Sequence, residues 1–393
     1  MVAPTARKNL TPNERKSSHA MICKSITVEN FRNIENASVR FSDGVNILLG
    51  NNAQGKTNLL EAIYVTSLGR SFRAQSDADM IKFGADYATI QNVYRDNMRD
   101  MELTMSVFSG RKQKVIHHNR VKIQKMSDIV GAFKVVLFCP EHLSIIKEGP
   151  SLRRGYLDVA ISQIKPMYIK ALQRYNSILK ERNSLIKSAD DNRRNFDATI
   201  DLWSEQLADA AAVITKYRVE YLNEAIPYIE NCFAEMTGER EVPKLTYESS
   251  SGLTSDECLD VDKCREAYLN LYNTRHDREI GAGATLWGIH KDDIEIELNG
   301  KIARFYCSQG QQRSLSLAMK LAEGEIIKKY MGGDYPVFLL DDVFSELDSK
   351  RRAYLVNNLK DKQVIMTSCE PHDLDGANVI LVEEGAYTPK NSQ

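Results

Sequence analysis

The 393-residue chain has no excess charge of either sign: 52 Lys and Arg stand against 53 Asp and Glu, for a formal net charge of −1. Any contact with nucleic acid must therefore use local patches rather than bulk basicity. No apolar run approaches the ~18–20 residues of a membrane-spanning helix, which argues against an integral membrane protein. There is no C-x-x-C pair. The seven cysteines (Cys23, Cys139, Cys232, Cys258, Cys264, Cys307, Cys369) are scattered, which fits reduced thiols in a cytoplasm rather than a disulfide framework or a zinc site. Internal repeats and low-complexity tracts are also missing. What remains is an ordinary globular composition, 42% apolar and 27% charged, long enough for two or three domains. Residues 1–20 are polar and lack the apolar core of a secretory signal. They are expected to be a disordered extension, with Met21 opening the first strand-like run.

The strongest positive signal is residues 45–66, VNILLGNNAQGKTNLLEAIYVT. Val45, Ile47, Leu48 and Leu49 read as a buried strand, and Leu59, Leu60, Ile63 and Tyr64 recur at helical spacing. Between them Gly50, Asn51, Asn52, Ala53, Gln54, Gly55, Lys56 and Thr57, with Asn58 after, spell the phosphate-loop pattern G-x-x-x-x-G-K-T. Glycines let successive backbone N–H groups turn toward an anion, and the helix N-terminus behind them adds roughly half a positive charge. Lys56 supplies a point charge for the β- and γ-phosphates, and the Thr57 hydroxyl can ligate Mg2+. Nucleotide binding follows; which nucleotide, and for what, does not.

Along the chain, residues 22–28 alternate as a strand and lead to Asn30-Phe31-Arg32-Asn33. Arg32 is either a solvated turn residue or a cation reaching the nucleotide. Residues 87–94 and 101–108 read as strands. The stretch 111–125 holds six Lys or Arg and no acid, with a hairpin turn expected near His118-Asn119. It is either a solvated sheet edge or a phosphate-backbone contact through Arg111, Lys112, Lys114, Arg120 and Lys122. His117 and His118 have no carboxylate or cysteine at ligand spacing, which argues against a metal there. Pro150 and Ser151 open a helix whose early Arg153 and Arg154 oppose the helix dipole and so call for an acidic partner. Long 3.6-period patterns over 153–187 and 198–226, separated by a polar turn at 188–194, predict an inserted helical hairpin, too short for an extended coiled-coil arm. Further on, a strand is expected near 242–247, a helix over 266–274 and a hairpin turn at Asn299-Gly300.

Ser308-Gln309-Gly310-Gln311-Gln312-Arg313 opens another helix, with Ser308 as N-cap. Alone it could be an ordinary capped helix or a second anion site. Val337–Leu340, however, is an apolar run ending in Asp341 and Asp342. A buried parallel strand delivers such residues to the sheet edge where α/β ligands bind. Asp341 suits Mg2+, and Asp342 is then placed to orient or deprotonate an attacking water.

These pieces together resemble the heads of ABC-type ATPases, and within them the RecF family of bacterial recombination mediators, relatives of the SMC heads. The resemblance rests on NFRN (30–33), GNNAQGKTNLLEAI (50–63), FCPEHLSIIKEGPSLRRGYLD (138–158), GIHKDDIEIELNG (288–300), SQGQQRSLSLAMKLAE (308–323) and FLLDDVFSELD (338–348), and extends over nearly all of 21–385. It implies an α/β P-loop head with a parallel or mixed sheet and helices, built from 21–150 and 281–393, with a mainly helical arm inserted at 151–280. It implies ATP and Mg2+ as cofactors, weak hydrolysis serving as a switch, and an ATP-dependent homodimer. In that dimer Ser308, Gly310 and Gln311 close on the other copy's γ-phosphate and Asp342 is the base. It further implies DNA binding at gaps and stalled forks, and action with RecR and RecO to load RecA in repair, replication restart and the SOS response. Three departures stand out. Ile289 replaces the usual proline of G-P-H. No Gln sits near Cys139 at the strand end, and no His directly follows Thr367; with an Asp base, the missing His implies slow hydrolysis. The alternatives are a DNA-binding clamp with a vestigial ATPase and a non-repair ABC subunit. A transporter subunit would carry LSGGQ and lack the helical insert, and a GTPase would carry N-K-x-D, which is absent.

Overall fold

The computed structural model describes residues 21–96, 98–110, 113–238, 241–372, 374 and 376–390. The expected extension 1–20 and the two cations Arg111 and Lys112 lie outside them. In order, the chain forms strands β1 (Ile22–Phe31), β2 (Ile34–Arg40) and β3 (Val45–Leu49), then helix α1 (Lys56–Leu68). Strands β4 (Tyr87–Arg95), β5 (Asp100–Phe108), β6 (Val115–His118), β7 (Val121–Ile123) and β8 (Val135–Phe138) follow. A helical segment comes next: α2 (Pro140–Leu143), α3 (Pro150–Ile164), α4 (Pro166–Lys187) and α5 (Arg193–Thr237). After β9 (Pro243–Glu248) come α6 (Val261–Thr274), α7 (His276–Ala282), β10 (Asp293–Leu298), β11 (Lys301–Ile302), α8 (Ala303–Tyr306) and α9 (Gln309–Tyr330). The chain closes with β12 (Val337–Leu340), α10 (Ser349–Asn358), β13 (Val364–Ser368), β14 (Asn378–Glu383) and β15 (Ala386–Pro389).

Two sheets enclose α1. One is antiparallel, in the order β2-β1-β4-β5-β6-β7, and β4 and β5 alternate buried with partly buried residues, as strands with one core face do. The other runs β15-β14-β3-β13-β12-β8, parallel from β14 to β8, with β15 antiparallel at its edge. Strands β12 and β13, and β8 at the far edge, are buried at every residue, as in a sheet covered on both faces. Residues of α1 pack in one apolar cluster with β1, β4 and β5 on one side and β3, β8, β12 and β13 on the other. This explains why α1 is buried almost all round, including Lys56 and Glu61. The loop feeding α1 is thereby anchored on a rigid frame.

The helical segment differs from the predicted hairpin in two ways. The pattern over 153–187 is not one helix: Lys165 is extended (φ −126°, ψ 92°), and Pro166 begins α4 at its first position. A residue before proline is pushed out of the α region, so the chain breaks there although the apolar period continues. The second helix is far longer than 198–226. α5 runs 45 residues, about 68 Å at 1.5 Å per residue, and passes through Pro227. Ala225, Ile229, Cys232 and Phe233 around that proline are all buried, so packing on both adjoining turns outweighs the one lost helical bond.

A third sheet, β11-β10-β9, pairs Asp293–Leu298 with Pro243–Glu248 and so ties residues on either side of position 280. Arg153 finds its acidic partner there, holding Asp293 through Nε (2.7 Å) and Nη2 (2.9 Å) and reaching the carbonyls of Ile145 and Glu148 through Nη1. The Gly288-Ile289-His290 motif faces the helices as well. His290 bonds the Tyr175 hydroxyl and the Thr285 carbonyl, Ile289 O accepts from Arg218, and Asp292 accepts from Tyr247 and Tyr268. Ile289 itself is buried. Among the described residues, no helix is long and apolar enough to cross a membrane.

Candidate nucleotide site

Residues 50–57 link β3 to α1, and their backbone is set by two different demands on glycine. Gly55 has φ +110° and caps α1, a conformation a side chain rarely tolerates. At Gly50 the constraint is space: a Cβ there would stand 2.2 Å from the Val382 carbonyl oxygen of β14. The loop is held from outside by Gln54 Oε1 on the Glu384 N–H (2.5 Å), the Gly385 N–H on Gln54 O (3.0 Å) and the Tyr387 hydroxyl on Gly55 O (2.9 Å). The Lys56 ammonium lies folded on the loop, donating to Gly50 O (2.5 Å) and Asn51 O (2.8 Å), with Cys369 Sγ at 3.3 Å.

The strand-end acids divide by burial. Asp341 is buried and accepts from the Thr57 hydroxyl (2.7 Å) and the Thr367 hydroxyl (3.0 Å), so loop, β12 and β13 meet at one carboxylate. Burial pushes its carboxyl above the ordinary range against these two bonds. Asp342 is exposed, in the left-handed region at φ 49°, with its N–H on Thr367 Oγ1 (2.9 Å). Its carboxylate accepts no hydrogen bond among the described residues. A cavity of about 210 Å³ is lined by Asn52 to Asn58, Arg73, Asp342, Thr367 and Cys369. The structure therefore gathers the loop and Asp342 around one space.

Arg32 and α9, the signature helix that opens at Ser308-Gln309-Gly310-Gln311-Gln312, lie differently. The Arg32 guanidinium holds Glu61 through Nε (3.1 Å) and Nη2 (2.7 Å) and the Asp79 carbonyl through Nη1 (2.6 Å). Its neighbour Asn33 is the one that meets the loop, donating to Ala53 O (3.4 Å) and accepting from Asn58 (2.6 Å). Ser308 caps α9 in a reciprocal box. Its hydroxyl accepts from the Gln311 N–H (3.3 Å), while Gln311 Oε1 accepts from the Ser308 N–H (2.7 Å). Gln311 also donates to Glu241 and Gln312 to Cys307 O, while Ser308 and Gln309 are exposed. None of Ser308 to Gln312 lines the cavity around the phosphate loop. Arg313 instead joins Glu346 of the SELD segment (2.7 Å).

Two residues escaped the sequence reading. Glu61 sits fully buried on α1 and binds Arg32, Arg73 and Ser71 together. Burial raises its carboxyl, but the bonds and charges of Arg32, Ser71 and Arg73 outweigh that and hold it below the usual carboxylate value. A charged residue inside the apolar run LLEAIY was its only sequence signal. Arg73, on Glu61 (2.6 Å) and Asn58 (2.7 Å), brings a cation to the cavity wall and had no spacing to reveal it. In the basic hairpin the turn falls at Asn119 and Arg120, both at positive φ, as a two-residue turn with right-handed strand twist requires. Lys114 points inward to Asp77 (2.8 Å) and the Gly69 carbonyl, whereas Arg120 and Lys122 are exposed.

A phosphate loop after β3, with paired acids at the end of β12 in the same parallel sheet and a capped signature helix, defines the class: an ABC/SMC-type ATPase head. The family model described as "RecF/RecN/SMC N terminal domain" matches residues 22–383. A DNA replication and repair protein RecF of Ruminiclostridium cellulolyticum is 40% identical over 348 residues, covering 88% of this chain and 92% of its own. That of Geobacillus kaustophilus is 37% identical over 93% of this chain and 96% of its own. A solved structure described as the recombination mediator protein RecF-ATP in the RecFOR pathway superposes with a TM-score of 0.89 at 34% identity, covering 96% of this chain and all of that one. An Smc head from Pyrococcus furiosus shares the fold at 17% identity, with a TM-score of 0.53 over 94% of this chain and 96% of its own. The chain belongs to the RecF family.

Proposed function

We propose that this protein binds ATP with Mg2+, dimerises on it and uses the closed dimer to hold DNA. The carrying observation is the separation within one chain between a complete phosphate-loop cavity and an exposed, self-capped signature N-terminus that takes no part in its lining. A helix N-terminus with a serine hydroxyl suits an anion, and in this reading that anion is the γ-phosphate held by a second copy. Ser308, Gln309, Gly310, Gln311 and Gln312 supply the closing face.

Within each site, Lys56 leaves the loop carbonyls for the β- and γ-phosphates. The donor set fits Mg2+: Thr57 Oγ1 and Asp341 are hard oxygen ligands already in contact, and Mg2+ takes one or two such groups plus substrate phosphates rather than an all-protein cage. Bound there, the ion supplies charge neutralisation of the phosphates. The unengaged Asp342 carboxylate orients and deprotonates the attacking water. Arg32 acts on the nucleotide through the turn that carries Asn33. To turn a mostly open population into a mostly closed one, the signature must favour ATP over ADP by about 5 kcal/mol. Weak hydrolysis then works as a release timer for the clamp.

The inserted helices at 151–280 form the arm of this head. DNA contact is assigned to the exposed hairpin edge of Arg120 and Lys122, with Lys114 bracing it against Asp77. Acting in the cytoplasm at gaps and stalled forks, the clamp serves with RecR and RecO to promote RecA loading, replication restart and SOS induction. The test is sedimentation of the full chain with no nucleotide, with ADP and with ATP–Mg2+. A dimer confined to ATP is expected; a monomer throughout rejects the clamp.

A further inference from the structure

The turn just before the signature helix carries side chains that neither the core nor the phosphate-loop cavity uses. α8 buries Ala303 and leaves its last two residues in solvent, Phe305 at 65% and Tyr306 at 69% exposure. Both rings carry a cation: the Arg304 guanidinium is 4.4 Å from the Phe305 centroid and the Lys301 ammonium 5.9 Å from that of Tyr306. Residues 300–313 contain no Asp or Glu. Two consecutive large rings held open to water beside a functional motif mark a surface that something covers.

The cavity around the phosphate loop has the opposite character. Asn, Gln, Lys, Thr, Arg, Asp and Cys side chains with small residues line it, and none of the lining residues carries an aromatic ring. Such a wall recognises phosphates and offers a purine nothing to stack on. Tyr387 approaches the loop from outside and spends its hydroxyl on Gly55 O.

We propose that Phe305 and Tyr306 are a shelf for the purine ring of the ATP held by a second copy of this chain. The proposal rests on the ATP dimer above and deepens it by naming what the second copy contributes besides the γ-phosphate contact. The span fits. Tyr306 and Phe305 lie two and three residues before Ser308, within about 7–10 Å of the N-terminus that takes the γ-phosphate, a reach comparable with the triphosphate and ribose between that phosphate and the base. Arg304 and Lys301 flank the rings with positive charge, suited to the electron-rich purine face and the ribose-side phosphate. The shelf makes closure sensitive to the base and not to the triphosphate alone.

Sedimentation of the full chain separates the possibilities, using ATP–Mg2+ and inorganic tripolyphosphate–Mg2+, which lacks base and ribose. Wild type is compared with the Phe305→Ala/Tyr306→Ala double variant, and with Tyr306→Phe, which keeps the ring. The double variant should form the ATP dimer roughly 10- to 100-fold more weakly and should no longer distinguish ATP from tripolyphosphate. Tyr306→Phe should behave as wild type. Both rings are mostly exposed, so the melting temperature should hold. A Phe305→Trp variant gives a second readout: indole quenching on ATP addition, absent when Ser308→Arg is added. A wild-type dimer left intact by the double substitution overturns the shelf alone. A wild-type monomer in ATP overturns the dimer reading and the shelf with it. Loss of affinity for single-stranded DNA at unchanged dimerisation would assign the rings to nucleic acid and overturn the proposal.

Discussion

The phosphate loop and the signature N-terminus each open a helix, and they are finished to different degrees. The loop is wired to its surroundings on every side, with Thr57 on Asp341, Asn58 on Asn33 and Gln54 on the Glu384–Gly385 turn. Behind it, buried Glu61 gathers Arg32 and Arg73. The signature start satisfies itself through the Ser308–Gln311 box and one bond to Glu241, and remains in solvent beside two bare rings. The contrast is one of completion: one half is pre-organised inside the chain, and the other is left in solvent, as the proposed closure by a second copy requires.

Four substitutions sharpen this contrast, the largest effect first. Lys56→Ala removes two or more charge-assisted bonds to phosphate worth about 1.5–3 kcal/mol each. ATP affinity measured by calorimetry should fall roughly 10²- to 10⁴-fold; a smaller loss would mean the loop backbone binds nucleotide unaided. Asp342→Asn should slow hydrolysis by about 10²–10⁴-fold while ATP still binds and the dimer outlives that of wild type. A normal single-turnover rate would remove Asp342 from the base position and favour a clamp whose hydrolysis is incidental. Ser308→Arg should keep ATP binding within about two-fold, since the cavity lies elsewhere, yet abolish the dimer. The lost cap itself costs only about 1 kcal/mol, so a melting curve distinguishes this from unfolding.

The smallest effect is on stability. Glu61→Gln breaks both ion pairs, and because Arg32 and Arg73 are partly solvated the cost is about 2 kcal/mol rather than the 3–5 of a fully buried pair. Glu61 titrates below its ordinary 4.5 in the folded state. Its contribution is therefore present above that value and is lost as pH falls through the folded one. Wild-type unfolding should steepen on acidification there and Glu61→Gln should flatten it; parallel curves would show that Glu61 carries no linked proton.

Much of this was legible in order along the chain because the information is local. Residues 45–64 give strand, loop and helix from period and glycine alone, and 337–342 place two acids at a strand end. Ser308 announces a cap by its type, while the reciprocal bond from Gln311 came with the structure. The break at Lys165–Pro166 was equally local but hidden beneath a continuing apolar period. The length of α5 was not local at all, since burial on both sides carries it through Pro227.

The sequence by itself determined the phosphate-loop pattern at 50–57, the two acids at the end of a buried strand and which family the motifs resemble, because those features are short-range. Only the tertiary structure decided how they combine. It set Asp341 on Thr57 across 284 positions, turned Arg32 onto Glu61, brought Arg73 to the cavity wall and held Ser308 apart from it. Those relations depend on which strands neighbour one another and on what burial permits a charge to do, and no spacing along a chain encodes either.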